Sequence, residues 1–151
     1  MHTTSIGSEV VWSDDPSGVD WDELSELYRV APLGTRRPED LAVVFANSRY
    51  ACFARVDGRL VGVGRALADG IDCSYIADVA VHPDHQGHGM GTAIMRALVR
   101  QSRGHQKVVL YASPGTEPFY ERLGFLPMRT AMARFGDPEA AVASGILAAG
   151  R

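Results

Sequence analysis

The apolar positions of the chain change period along its length. From Asp20 to Val30 the residues Trp21, Leu24, Leu27 and Tyr28 recur at helical spacing, with acids in the first turn where the helix macrodipole favours them. A second helix opens at Pro38, whose ring suits the first helical position; it carries Leu41, Val44 and Phe45 on one face and ends near Asn47. Then the period shortens. Tyr50 to Val56 and Arg59 to Ala68 are rich in Val and aromatic residues and flank Asp57-Gly58, a strong hairpin signal, so they predict two antiparallel strands. Ser74 to Val81 is a further, largely apolar strand, expected at the centre of a sheet. Helical spacing returns over Gly91 to Gly104, with Ile94, Met95, Leu98 and Val99 as the stripe and Gly104 as the stop. Lys107 to Ala112 reads as another buried strand, Glu117 to Leu123 as a short helix closed by Gly124, and Pro127 to Phe135 as a last strand. At the other end, Glu9 to Ser13 predicts a short first strand, broken by Asp14 to Gly18. The Ala-rich tail from Asp137 to Arg151 reads as a terminal helix or a frayed end. Hairpins followed by alternating strands and helices predict an α/β (α+β) domain around a mixed sheet.

Length and charge narrow the classes. The 151 residues suit one domain spanning 1–151, and 46% hydrophobic with 22% charged residues places the chain among globular proteins. A net charge of −3 gives no global field toward nucleic acid or an anionic membrane, while a cationic amine meets mild attraction. Cys52 and Cys73 each lie in an apolar segment, as packed, reduced thiols of a cytoplasmic protein do. Met1 to Val10 is polar, without the basic-then-apolar layout of a signal peptide, and no apolar run approaches the ~20 residues of a membrane span.

The stretch most informative about chemistry runs from Asp78 to Thr92. An apolar strand enters a turn with glycines at 87, 89 and 91, and a helix follows. Glycine allows sharp turning and close approach of backbone to a ligand, and the free N–H groups of a helix start attract phosphate. A nucleotide-hydrolysis loop needs Gly-Lys-Ser/Thr, and this stretch holds no Lys. A dinucleotide fingerprint needs G-x-G-x-x-G; its third glycine falls on Thr92 or Ile94, and no acid stands at the ~20-residue offset that reads a ribose.

The pattern that does match is Q/R-x-x-G-x-G/A, here Gln86-Gly87-His88-Gly89-Met90-Gly91 after Val79-Ala80-Val81-His82-Pro83, and it resembles the acetyl-CoA loop of the GNAT acetyltransferase superfamily. A second match, Phe119-Tyr120-Glu121-Arg122-Leu123-Gly124-Phe125, resembles the F-Y-x-x-x-G-F segment of the same superfamily, one helix and one strand downstream. The resemblance implies a mixed, mostly antiparallel sheet of about six to seven strands flanked by about four helices. It also implies acetyl-CoA as cosubstrate, its pyrophosphate on Gln86, Gly87, His88, Gly89, Met90, Gly91 and Thr92, and its pantetheine arm along Val79, Ala80 and Val81. Arg36 to Leu41, Asn47-Ser48 and Ile76 to Val79 are further similar to plant and cyanobacterial serotonin N-acetyltransferases and their bacterial relatives, which suggests an arylalkylamine acceptor. A protein-directed acetyltransferase or a non-catalytic acetyl-CoA-binding module would carry the same loop, and a homodimer is compatible with either.

Acetylation of an amine requires a neutral nucleophile, a donor for the oxyanion and a proton for the departing thiolate. The resemblance makes Tyr120 the candidate acid, while Phe119 beside it offers a plain packing role. Asp78 is the candidate base, because a carboxylate in an apolar strand needs a function or a partner. Strand parity sets Asp78 beside Ala80 and His82 and opposite Tyr75 and Ala77; a bulge would turn it toward the amine, and an ion pair at the sheet's rim is the alternative. Related enzymes often carry the base at the position of Tyr75, a poor base at neutral pH. His82, His85 and His88 match no compact metal-ligand spacing, and no metal is expected. Trp21, Tyr28 and Phe45 are either core or the lining of an amine pocket.

Overall fold

The computed structural model describes residues 9–150; residues 1–8, which carry most of the segment compared above with a signal peptide, lie outside the described residues, as does Arg151. Helix α1 (Trp21–Val30) starts where the Asp20 carboxylate accepts hydrogen bonds from the backbone N–H groups of Asp22 and Glu23, and α2 (Pro38–Ala46) starts on its proline. Strand β1 (Val10–Ser13) precedes them. After α2 come β2 (Tyr50–Val56), β3 (Arg59–Ala68), β4 (Cys73–Val81), α3 (Met90–Gln101) and β5 (Lys107–Val109), followed by α4 (Glu117–Glu121) and α5 (Pro138–Ala143). The β2–β3 turn is closed by Asp57 and Gly58, both at positive φ, as the two-residue hairpin signal requires.

The sheet runs β1-β2-β3-β4-β5, antiparallel through β4, with β5 parallel to β4 after the α3 crossover. One face carries α1 and α2. There Leu24, Leu27, Tyr28, Leu41 and Phe45 pack on Ala51, Phe53, Val63 and Ala80, with Trp21 partly buried against them. These aromatics therefore belong to the core, and Trp21 stacks at a tilt on Phe45 with ring centroids 5.8 Å apart. The other face carries α3, whose Ile94, Met95 and Leu98 are buried. That helix lies close because Gly62 and Gly64 face it: a Cβ on either would stand 2.8 to 2.9 Å from Met90, Ile94 or Leu98 side-chain atoms.

The chain divides into two compact units, one ending at Leu110 and one beginning at Tyr111. In the second, Gly124 at positive φ closes α4 and lets the Phe125 N–H reach the Tyr120 carbonyl. Asp137 caps α5, so the tail holds a helix.

The sheet has five strands among the described residues, short of the six to seven expected. Pro127 to Phe135 forms no strand; Leu126, Met128 and Met132 are exposed at 85%, 58% and 97%, and with no partner ladder the backbone of this segment is left to water. Strand β5 stops at Val109, short of Ala112, and is an edge strand rather than a buried one. Among the described residues it pairs with Cys73, Ser74 and Tyr75, and that pairing ends three residues before the bulge at Asp78. No helix among the described residues is long and apolar enough to cross a membrane.

Candidate active site

Strand β4 is regular up to Ala77, which pairs with Arg65, and regular again from Ala80, which pairs with Val63. Gly64 alone therefore opposes both Asp78 and Val79. The extra residue is Asp78, in the left-handed region at φ +57°, a conformation that costs an L-residue about 1–2 kcal/mol. The bulge corrects the simple parity. Ala77 lies opposite Arg65 and Ala80 opposite Val63, both on the α1 face, so Asp78 shares a side with Ala77 and Ala80 alike. Val79 turns to the α3 face, where its side chain nears Gly64.

Three long-range contacts hold Asp78 there. Arg36, in the α1–α2 connection, donates from Nη2 to Oδ1 at 2.8 Å, and Arg65 on β3 donates from Nε to Oδ2 at 2.7 Å. The Tyr28 hydroxyl donates to the Asp78 backbone carbonyl at 2.9 Å. The Arg36 guanidinium also sits 4.8 Å over the Tyr28 ring, and Arg65 reaches the Ser48 hydroxyl at 3.3 Å. Asp78 and Arg65 side chains are each 14% exposed, so this is a largely desolvated ion pair. Burial pushes the Asp78 carboxyl up, but the hydrogen bonds and charges of Arg36 and Arg65 outweigh it and hold the group below the usual carboxylate range. Burial and the Asp78 charge push the Tyr28 phenol far above the usual tyrosine range, so it remains a donor at every working pH.

Beyond Val81 the chain is held by its own near neighbours. The His82 side chain accepts from the Asp84 N–H at 3.1 Å and starts a 3-10 turn over Pro83–His85. Gln86 donates from Nε2 to the Val81 carbonyl at 3.0 Å, tying the loop to the strand end. Gly87 and Gly89 both take φ +81°, and Gly89 is the N-cap of α3. No side chain caps that helix and no acid occupies its first turn. Intrahelical bonding begins with the Ala93 N–H to the Gly89 carbonyl, which leaves the N–H groups of Met90, Gly91 and Thr92 as unused donors. His88 is exposed on this turn. Gly89 and Thr92 also border a hollow of about 700 Å³ between α3 and strands β1 and β2, where Trp12, Asp14, Arg96 and Arg100 stand.

Among the described residues no strand pairs with the outer edge of β4 beside this turn, since β5 pairs no further than Tyr75. His82 donates to the Val61 carbonyl at 2.7 Å, which makes Val61–His82, and by alternation Val63–Ala80, hydrogen-bonded pairs. Val79 and Val81 accordingly turn their backbone groups away from β3, toward that edge, and Ala80 turns its own toward β3.

In the second unit Tyr120 is half-buried, edge-on to Phe119 and Phe125 at centroid distances of 5.0 and 6.4 Å. Among the described residues its hydroxyl has no hydrogen-bond partner, and burial pushes its pKa up. Cys52 is buried and its thiol is pushed up to about 11, first by burial, so it is an inert packed thiol. Sequence reading missed Arg65 and the Tyr28 hydroxyl. The available signal was Arg65 in the apolar interior of β3 and Asp78 as the one charge in the apolar strand β4, opposite charges that burial obliges to meet.

Bulged at Asp78, strand β4 thus runs through a glycine turn into a helix start that no side chain caps. The model of the Acetyltransferase (GNAT) family matches residues 20–125, and the chain belongs to that family of N-acetyltransferases. It is 41% identical over 70 residues to the uncharacterized N-acetyltransferase ycf52 of Porphyra purpurea, covering 45% of this chain and 40% of that protein. It is 33% identical over 115 residues to serotonin N-acetyltransferase 2, chloroplastic, of Oryza sativa subsp. japonica, covering 72% of this chain and 58% of that one. Glucosamine 6-phosphate N-acetyltransferase of Trypanosoma brucei brucei is 37% identical over 117 residues, covering 72% and 70%. The chain thus spans about half the length of the first two of these relatives. A probable acetyltransferase from Staphylococcus aureus shares the fold, with a TM-score of 0.77 and 22% identity over 85% of this chain and 99% of that one.

Proposed function

We propose that this chain is an acetyl-CoA-dependent N-acetyltransferase whose acceptor is the primary amine of a small molecule. One observation carries the reading: an uncapped helix start, reached through two left-handed glycines, follows a strand whose outer edge is unpaired from Ile76 onward among the described residues. An extended, amide-bearing arm fits along Val79, Ala80 and Val81, bonding to the exposed backbone of the two valines. A diphosphate fits the donors from Gly87 to Thr92. Gln86 serves this turn from within, by holding it to Val81.

Acetyl-CoA supplies an activated acyl group. In the transfer one N–C bond forms, one C–S bond breaks and one proton passes from nitrogen to sulfur. The Val79 N–H is the donor for the developing oxyanion. Tyr120 is the proton donor to the thiolate; its raised pKa makes it a weaker acid, so the gift is coupled to resupply from the ammonium. The base role expected for Asp78 fits this geometry poorly, because both carboxylate oxygens are occupied and its proton affinity is lowered. Asp78 acts instead by making the bulge, and the amine proton leaves through water.

The rice and trypanosome relatives are named for serotonin and for glucosamine 6-phosphate, both small primary amines, which supports a small acceptor. An arylalkylamine is the first to test and an amino sugar phosphate the second. The free thiols Cys52 and Cys73 suit a reducing, cytoplasmic setting. Incubation with acetyl-CoA and a panel of amines, with thiol release as readout, should give release with at least one small amine. Release only with lysine peptides would make the enzyme protein-directed, and tight CoA binding without release would make it a binding module.

A further inference from the structure

Asp78 stands in a backbone conformation that its own strand does not favour, and the atom that fixes the consequence is its carbonyl oxygen. The peptide joining Asp78 to Val79 is trans and planar, so the Asp78 carbonyl and the Val79 N–H point in opposite directions. Whatever anchors the first aims the second. The anchor is the Tyr28 hydroxyl, 50 residues earlier on α1, at 2.9 Å.

The geometry points to Tyr28 as a positioning residue for acetyl transfer: its hydroxyl holds the Asp78–Val79 peptide so that the Val79 N–H meets the thioester oxygen at the open edge of β4. The inference rests on the reading that this edge receives acetyl-CoA. As the amine nitrogen bonds to the carbonyl carbon, the C=O pair moves onto oxygen and is bound by the Val79 N–H. The pair returns as the C–S bond breaks, and sulfur leaves with its bonding electrons and takes up the proton that nitrogen lost.

Tyr28 is suited to this in three ways. It is 0% exposed and pinned between the α1–α2 core and the Arg36 guanidinium, so its hydroxyl has little freedom to leave the carbonyl. A carbonyl that accepts a hydrogen bond polarises its own peptide, so Tyr28 strengthens the Val79 N–H as a donor as well as aiming it. Arg36 and Arg65 hold the Asp78 side chain from both oxygens, which leaves the backbone carbonyl as the one part of the residue that only Tyr28 orients. A buried tyrosine hydroxyl must find a partner, and Tyr28 finds it on the bulged peptide of another element, which couples α1 to the aim of the Val79 N–H.

The test is Tyr28→Phe, which keeps the ring and removes the donor. Turnover should fall about tenfold to a hundredfold, part of what losing an oxyanion donor outright costs, while KM for acetyl-CoA stays within about twofold. The direct readout is the infrared carbonyl stretch of bound S-(2-oxopropyl)-CoA labelled with 13C at the ketone. In the wild type the band should lie below its value in water, and in Tyr28→Phe it should move back up. Replacing Tyr28 with 3,5-difluorotyrosine, a stronger donor of nearly the same shape, should move the band further down and keeps the test alive if the Phe variant folds poorly. Binding of the probe with one and the same band in the wild type, Tyr28→Phe and the difluorotyrosine protein would overturn the role of Tyr28 and leave the acetyl-CoA reading standing. Failure of the wild type to bind the probe at all would remove the acetyl-CoA reading, and the inference with it.

Discussion

The turn from Gln86 to Thr92 and the bulge at Asp78 are separated by eight positions in the chain, yet they are built in opposite ways. The side-chain hydrogen bonds that shape the turn are short in sequence: His82 with Asp84, and Gln86 with Val81 five residues back. The bulge is held by residues 13, 42 and 50 positions away, on β3, on the α1–α2 connection and on α1. Local construction makes the turn a replaceable fitting whose damage shows in ligand affinity. Non-local construction makes the bulge part of the fold itself, so damage there reaches stability and turnover together.

The sharpest way to break this comparison is Arg65→Met. Removing one cation from a largely buried carboxylate leaves Asp78 undercompensated, and a cost of about 2–4 kcal/mol is expected, moderated because Arg36 remains. The melting temperature should fall by roughly 5 °C or more, with a drop in kcat in the residual folded protein. A melting temperature within a degree of the wild type would mean that the bulge does not depend on its distant partners.

Gly89→Val probes the other side with a smaller effect. At φ +81° a β-branched residue is strained, and although an added Cβ would meet nothing within 4 Å in the protein, it would obstruct the backbone approach of the proposed diphosphate. The dissociation constant for CoA, measured by calorimetry, should rise about tenfold to thirtyfold, which corresponds to about 1–2 kcal/mol. Any loss of melting temperature should be well below that of Arg65→Met. Unchanged CoA affinity would detach the turn from cofactor binding.

The same difference explains what could be read from the sequence. Both strands of the β2–β3 hairpin, the helices α1 and α2 and the end of α4 were legible because periodicity, Asp57-Gly58, Pro38 and Gly124 are local signals, and the glycine turn is local in the same sense. Asp78 was visible as an anomaly, but not its partners, because pairing across β3, β4 and α1 is a property of register. The bulge itself reverses the parity from which side-chain direction is read. Pro127 to Phe135 has the composition of a strand without a neighbour to pair with, and no local pattern reports that.

The smallest predicted effect separates charge from shape at the bulge. Because the folded Asp78 carboxyl titrates below its ordinary value of about 3.9, the stability that its ionised form contributes is fully present above that value. It is lost as pH falls through the lower folded value, so the window lies below about pH 4. Asp78→Asn keeps a side chain that tolerates the left-handed conformation and removes the charge. The wild type should therefore exceed Asp78→Asn by a constant margin in urea denaturation from about pH 5 to 7, and the margin should shrink steadily below about pH 4. Run in parallel, Gly89→Val should show no comparable loss of margin below about pH 4, since Asp78 and its arginines are untouched by it. A margin for Asp78→Asn that held level down to pH 3 would show that the arginines grip the amide as well as the carboxylate, and that the bulge is kept by geometry rather than by charge.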